Sequence, residues 1–249
     1  MQMIFIMHYG RLNLNSHKVL SAKKFIDKNN NYSLFLNIID ICKQAHQQIK
    51  VSKVDLNGLT EPVLRNKLVK QIEKIQGYYG LAQLVFVAES VENNENDITI
   101  GYHDIEIFVP PTSKFSLKPK NRFIIECKKL DGYSTLNDKY ITEGMNRFIS
   151  EKYSSPVNIC GMIGFVEQSN KKYCNDKITS IVNDINIKLT KKYKRNSSEY
   201  LLPIMADKNV YKSTHYKEKS NTELNMYHLF LDNTKDNKIK ISKRASIFK

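Results

Sequence analysis

Four charged residues stand where apolar ones are expected. Asp104 and Glu106 lie in Gly101-Tyr-His-Asp-Ile-Glu-Ile-Phe-Val, and Glu126 and Lys128 in Arg122-Phe-Ile-Ile-Glu-Cys-Lys-Lys-Leu. Both stretches read as strands, being short runs of Ile, Phe and Val bounded by Gly or Pro. A buried strand loses stability for every unpaired charge it carries, so such a local conflict points to a functional site. Side chains alternate across a strand, which puts Asp104 with Glu106 on one face and Glu126 with Lys128 on one face. If the strands pair, two or three carboxylates and an ammonium meet on one patch. Hard divalent cations such as Mg²⁺ take oxygen ligands and need only one or two carboxylates besides water and substrate, a need that Asp104 and Glu126 meet. Lys128 shares their face and can hold or deprotonate a water molecule. Low-dielectric surroundings and a neighbouring cation would lower its pKa, as suits a base.

The elements that must position these residues follow from apolar periodicity. Leu34, Ile38, Ile41, Ala45 and Ile49 recur at helical spacing over Tyr32 to about Lys50. A second helix follows, with Thr60 as N-cap, Glu61 and Pro62 in its first turn, Val63 to Ile75 along it, and an end near Gly77. Strands are expected over 81–90, around Asp104 and around Glu126, with turns at 93–97 and 131–132 and a basic loop over 112–121. A helix over about 137–153 carries Tyr140, Ile141, Met145, Phe148 and Ile149 on its apolar side. The nearly all-apolar run 157–166 suits a central strand covered on both faces. Ile181, Ile185 and Leu189 mark a helix over about 178–193, ending in a basic run over 188–195. Short strands are expected over 200–205, 210–216 and 226–232, then a charged tail over 233–249. The first 30 residues give only a possible strand and an Asn-rich loop. No repeat or linker interrupts this order, so the expectation is a single domain over 1–249, of α/β class, with a mixed β-sheet flanked by helices.

Composition narrows the partners. A chain of 249 residues can bury a full core. No apolar run approaches the length of a membrane span, and the apolar start lacks the basic region of a secretory signal. Cys42, Cys127, Cys160 and Cys174 lie far apart without paired spacing, which argues against a disulfide framework or a zinc site and for a reducing, cytoplasmic compartment. The net charge of +14 favours polyanionic partners, although a chain rich in Lys, Asn and Ile throughout would be basic for compositional reasons alone.

Asp104, Glu126-Cys127-Lys128 at a separation of 21 residues, Glu61 on the preceding helix and a helix after the second strand together resemble the PD-(D/E)xK nuclease superfamily. His103 stands where Pro often does. The resemblance covers roughly 55–195 and leaves the C-terminal strands, 196–232, outside or peripheral to the core. It implies a restriction-endonuclease-like fold and a metal-dependent nuclease hydrolysing phosphodiester bonds, in DNA first, with RNA left open. Asp104, Glu126 and Lys128 would be catalytic, and Mg²⁺ or Mn²⁺ would be held by Asp104, Glu126, the Cys127 backbone carbonyl and Glu61. Residues 140–149 and 161–166 are similar to members found in anti-phage defence systems, which implies an effector kept in check until a protein partner activates it. Many members of the fold dimerise.

Other readings stand beside these. The hairpin could be a surface element with cross-strand salt bridges, and Glu61 a plain N-terminal helix acid. Glu106 is assigned a supporting role. Lys114, Lys118, Lys120 and Arg122 are candidates for phosphate contact, as are Tyr140 and Arg147, although Glu143 and Arg147 could form a solvated pair. The basic run over 188–195 is either a solvated helix end or a backbone-tracking patch, and His215 and His228 read as structural. A nuclease-like scaffold that binds nucleic acid or organises a complex without cutting is the alternative function.

Overall fold

The computed structural model describes residues 28–93, 99–110, 122–132, 134–153, 155–167, 177–204 and 209–234. The loop lysines Lys114, Lys118 and Lys120, the N-terminal strand, Cys174 and the tail beyond 234 lie outside the described residues.

Seven strands form one mixed sheet in the order β1-β2-β3-β4-β7-β6-β5. They are β1 (Val85–Asn93), β2 (Thr99–Phe108), β3 (Arg122–Leu130), β4 (Ile159–Val166), β5 (Leu202–Pro203), β6 (Val210–Tyr216) and β7 (Glu223–Asp232). Strands β1, β2 and β3 are antiparallel neighbours, β3, β4 and β7 run parallel, and β6 and β5 return antiparallel. Helices α1 (Lys28–Val51) and α2 (Glu61–Ile75) share one apolar cluster with Ile105, Phe123, Ile125 and Ile163. A second cluster joins Ile124, Met162 and Phe230 to Tyr140, Ile141 and Met145, which follow α3 (Ser134–Lys139), and to α4 (Asn146–Ile149) and α5 (Lys177–Lys191). Helices therefore cover both faces, and every residue of β4 is buried, as its uninterrupted apolar run required.

Three expectations need correction. The helix expected over 137–153 is broken in type: a π-helical segment, Tyr140–Met145, joins α3 to α4. Gly144 lies in this segment, where an added Cβ would meet the terminal methyl of Met162 on β4. Strand β7 is central rather than peripheral, because it pairs with β4 over eight positions and buries Leu224 and Met226 to Leu231. The core also begins well before residue 55, with Phe35, Ile38 and Ile41 of α1 fully buried. Thr60 has the extended backbone of an N-cap, yet its side chain makes no capping hydrogen bond.

Gly164 on β4 faces side chains that leave no room for a methyl group: an added Cβ would lie 2.6 Å from Leu130 Cδ1 and 2.8 Å from Phe230 Cδ1. Gly164→Ala is expected to destabilise the fold by roughly 1–3 kcal/mol through overpacking. Urea denaturation against the parent chain measures this.

A polar chain crosses the second core. Tyr140 Oη lies 2.9 Å from His228 Nδ1, His228 Nε2 is 2.8 Å from Ser213 Oγ, Ser213 Oγ is 2.7 Å from His215 Nε2, and His215 Nδ1 is 3.0 Å from Glu199 Oε1. One direction satisfies every member. Tyr140 donates to His228, His228 to Ser213, Ser213 to His215, and His215 to the carboxylate, each ring donating at one nitrogen and accepting at the other. The two histidines are thus structural, as expected from sequence. Burial, then the neighbouring His215, holds His228 well below its ordinary pKa of 6.5. Above the unfolded-state value this contribution to stability is complete. As the pH falls below about 6.5 the unfolded chain takes up a proton that the folded chain refuses, and stability drops by up to about 1.4 kcal/mol per pH unit. His46, lowered chiefly by burial, adds to the same slope. His228→Gln is expected to flatten the decline between about pH 6.5 and 5 in urea titrations.

Part of the basic run at the end of α5 is engaged in ion pairs, while Lys191 and Lys194 are exposed. Lys188 and Lys192 reach Asp138 at 3.4 and 3.0 Å, and Arg195 reaches Glu199 at 3.5 Å.

Candidate functional site

The charged residues that interrupt β2 and β3 meet where these strands fork. Their ladder runs from Phe108↔Arg122 to Ile105↔Ile125. One step further, the Cys127 N–H donates to Asp104 Oδ2 at 2.8 Å, so a side chain replaces the strand carbonyl. Strand β3 continues alone with β4 on its other side. A carboxylate is thereby fixed by the main chain of the strand that carries Glu126 and Lys128.

Glu126 is fully buried, and its two oxygens differ. Oε1 accepts from Lys128 Nζ at 2.6 Å and from Arg147 Nη1 at 2.7 Å. Oε2 is buried and has no hydrogen-bond partner. Burial, then the Asp104 charge, pushes the Glu126 carboxyl up to about 8 against the opposing pull of Lys128 and Arg147. A buried carboxylate oxygen without a partner is costly, and such an atom in a folded protein calls for an explanation such as an ion.

Lys128 Nζ sits among three oxygens: Glu126 Oε1, the Cys127 carbonyl at 2.9 Å and Glu61 Oε1 at 3.3 Å. Glu61, in the first turn of α2, also accepts from the Lys129 N–H at 3.0 Å, which fastens α2 to β3. Of the four groups that the resemblance assigns to a metal, Glu126, Glu61 and the Cys127 carbonyl therefore already converge on one cation, and Asp104 is held by Arg65 instead. Burial pulls the Lys128 pKa down, but Glu126, Glu61 and Asp104 outweigh it and the net shift is upward. Among these carboxylates alone the ammonium form of Lys128 is favoured, whereas the fall expected from the sequence concerned a neighbouring metal cation.

Two arginines complete the cluster. Arg65 of α2 is buried and donates from Nη1 to Asp104 Oδ1 at 2.9 Å and from Nη2 to Glu89 Oε2 at 3.0 Å. Glu89 takes a left-handed backbone, φ 60°, in the middle of β1, a conformation that a β-strand glutamate adopts only under constraint. Arg147 donates to Glu126 and to the Tyr153 hydroxyl, which in turn donates to the Tyr102 carbonyl. Arg65 and Glu89 were missed in the sequence. The available signal was a charge inside the apolar stripe of α2, with Leu64, Leu68, Val69 and Ile72 as its neighbours.

Other sequence candidates fall elsewhere. Tyr140 cannot reach nucleic acid: it is fully buried, stacked on Phe230 at 5.8 Å and bound to His228. Arg122 donates to Glu106 at 3.0 Å and Glu92 at 2.6 Å, so its guanidinium is held at the far end of the hairpin. Glu106 is thereby the partner of Arg122 and no part of the cluster. Glu143 pairs with Lys139 at 4.0 Å, leaving Arg147 to Glu126. His103 is buried, with Nδ1 3.2 Å from Ser90 Oγ.

Fold and site define a class no finer than this: an α/β protein with a seven-stranded mixed sheet and a buried carboxylate–lysine–arginine cluster at a strand fork. No family model, curated protein or solved structure matches the chain. Among the described residues, no three His, Cys, Asp or Glu side chains are grouped so as to hold a metal ion by themselves, and no helix is long and apolar enough to cross a membrane. A cation here would depend on Asp104, Glu126 and the Cys127 carbonyl, with the remaining positions left to water and substrate. That donor set suits Mg²⁺ or Mn²⁺ rather than a softer ion.

Proposed function

We propose that the protein is a divalent-metal-dependent nuclease of PD-(D/E)xK type that hydrolyses phosphodiester bonds in DNA. The observation that carries this reading is the convergence of Asp104, Glu126 and Lys128 at the fork of β2 and β3, with Glu126 Oε2 buried and unpartnered. The net charge of +14 adds a general attraction for a polyanion, and DNA is preferred to RNA on the resemblance alone.

Asp104, Glu126 and the Cys127 carbonyl would hold the ion, and Glu61 would join through water. When bound, a divalent ion supplies Lewis acidity at a phosphoryl oxygen and lowers the pKa of water. The protein's own contribution is positional. The Cys127 N–H and Arg65 fix the Asp104 carboxylate in one orientation. Lys128 would hold the attacking water or take its proton, and as an ammonium it would stabilise negative charge as it develops. Glu126 takes the position with the least solvent, where its charge acts most strongly.

One observation favours a non-cutting scaffold: Asp104 and Glu126 each already have an internal cation. The unpartnered Oε2 weighs against it. The deciding experiment incubates purified protein with plasmid DNA and Mg²⁺ or Mn²⁺. Metal-dependent cleavage that Glu126→Gln abolishes supports the nuclease reading. DNA binding without cleavage, indifferent to metal and to Glu126→Gln, replaces it with the scaffold.

A further inference from the structure

We propose that Arg147 is a displaceable counter-ion that competes with the divalent cation for Glu126, and that a phosphodiester drawing its guanidinium away is what admits metal to the site. This deepens the nuclease reading and rests on it.

Glu126 Oε1 carries two cations while Oε2 carries none. One carboxylate charge is thus compensated twice on one side, which repels any further cation approaching the other oxygen. The two resident cations are not equivalent. Lys128 is bound by three oxygens and its side chain is 11% exposed, whereas the Arg147 side chain is 30% exposed. Both hydrogen bonds given to the Arg147 guanidinium leave from Nη1. Nε and Nη2 thus make no hydrogen bond among the described residues, and an edge of a planar guanidinium is the geometry that takes a phosphate in two parallel bonds.

Charge counting points the same way. With Glu126 ionised, Glu61, Glu89, Asp104 and Glu126 supply four negative charges against three positive from Arg65, Lys128 and Arg147. With Arg147 in place the cluster is nearly neutral and attracts a divalent ion weakly. Withdrawing Arg147 leaves two uncompensated negative charges, the number a divalent ion neutralises. A phosphate that engages Arg147 therefore strengthens metal binding, and by linkage bound metal strengthens phosphate binding. The arrangement keeps the site poorly loaded until substrate arrives.

Mn²⁺ binding to the full-length protein, measured by electron paramagnetic resonance and calorimetry at mildly alkaline pH, tests this without reference to cleavage. Arg147→Gln is expected to bind Mn²⁺ roughly tenfold more tightly than the parent, and Arg147→Lys, which keeps the charge, to stay near the parent. A phosphorothioate duplex that resists cleavage should tighten Mn²⁺ binding in the parent and add less in Arg147→Gln. Tyr153→Phe removes the second anchor of the guanidinium and should shift affinity in the same direction, which guards against a folding defect in any one variant. Equal or weaker Mn²⁺ binding by Arg147→Gln and Tyr153→Phe, with binding still lost in Glu126→Gln, overturns the proposal and leaves the metal site standing. No Mn²⁺ binding by parent or variant overturns both.

Discussion

Lys128→Ala is expected to lower metal-dependent DNA cleavage by roughly 10²–10⁴-fold, the range seen when a positioned proton-handling or charge-stabilising group is removed. The ammonium is the one group in the cluster that touches Glu126, Glu61 and the Cys127 carbonyl together. Its loss removes that charge while leaving the backbone of β3 paired to β4. Initial rates on plasmid DNA at saturating Mg²⁺ measure the effect, and DNA affinity is expected to change far less. Lys128→Arg retains a cation but not its compact shape, so it should recover only part of the rate. A Lys128→Ala protein that cuts at the parent rate would remove the lysine from the chemistry and with it the main support for this site.

Arg65→Ala is expected to destabilise the fold by about 3 kcal/mol, because removing one partner of a buried ion pair strands the other. The Arg65 side chain is 5% exposed and that of Asp104 15%, while its second partner Glu89 is 63% exposed and can return to water. The penalty therefore falls on Asp104. Its remaining support is the Cys127 N–H, so the carboxylate would also lose its fixed orientation. Urea denaturation gives the stability change and Mn²⁺ affinity gives the positional one. A loss below about 1 kcal/mol would mean that solvent already reaches this pair and that its worth is that of a surface ion pair.

The tyrosine and arginine candidates show where linear reading reaches its limit. Tyr140 and Arg147 lie on one helical stretch, and both were candidates for phosphate contact although periodicity put Tyr140 on the apolar side. The π-helical segment between them changes the angular relation of residues before and after it. Tyr140 turns into the second core toward His228 and Phe230, while Arg147 reaches back to Glu126. Nothing in residues 140–145 announces that change, since helix type is set by what the segment packs against.

By itself the sequence determined the elements and the catalytic candidates. Alternation placed Glu126 and Lys128 on one face of β3, apolar periodicity located the long helices, and an uninterrupted apolar run marked β4 as central. These are local properties, fixed by bond geometry and by which side chains avoid water. The tertiary structure alone decided which charges pair. Glu106 and Asp104 share a face of β2, yet one meets Arg122 and the other Arg65. The C-terminal β7 enters the middle of the sheet beside β4, far from it in sequence. Lys128 gains Glu61 as a partner from a helix 67 positions earlier. Electrostatic partners act through space over a few ångströms, and spacing along the chain carries almost no information about distances set by packing.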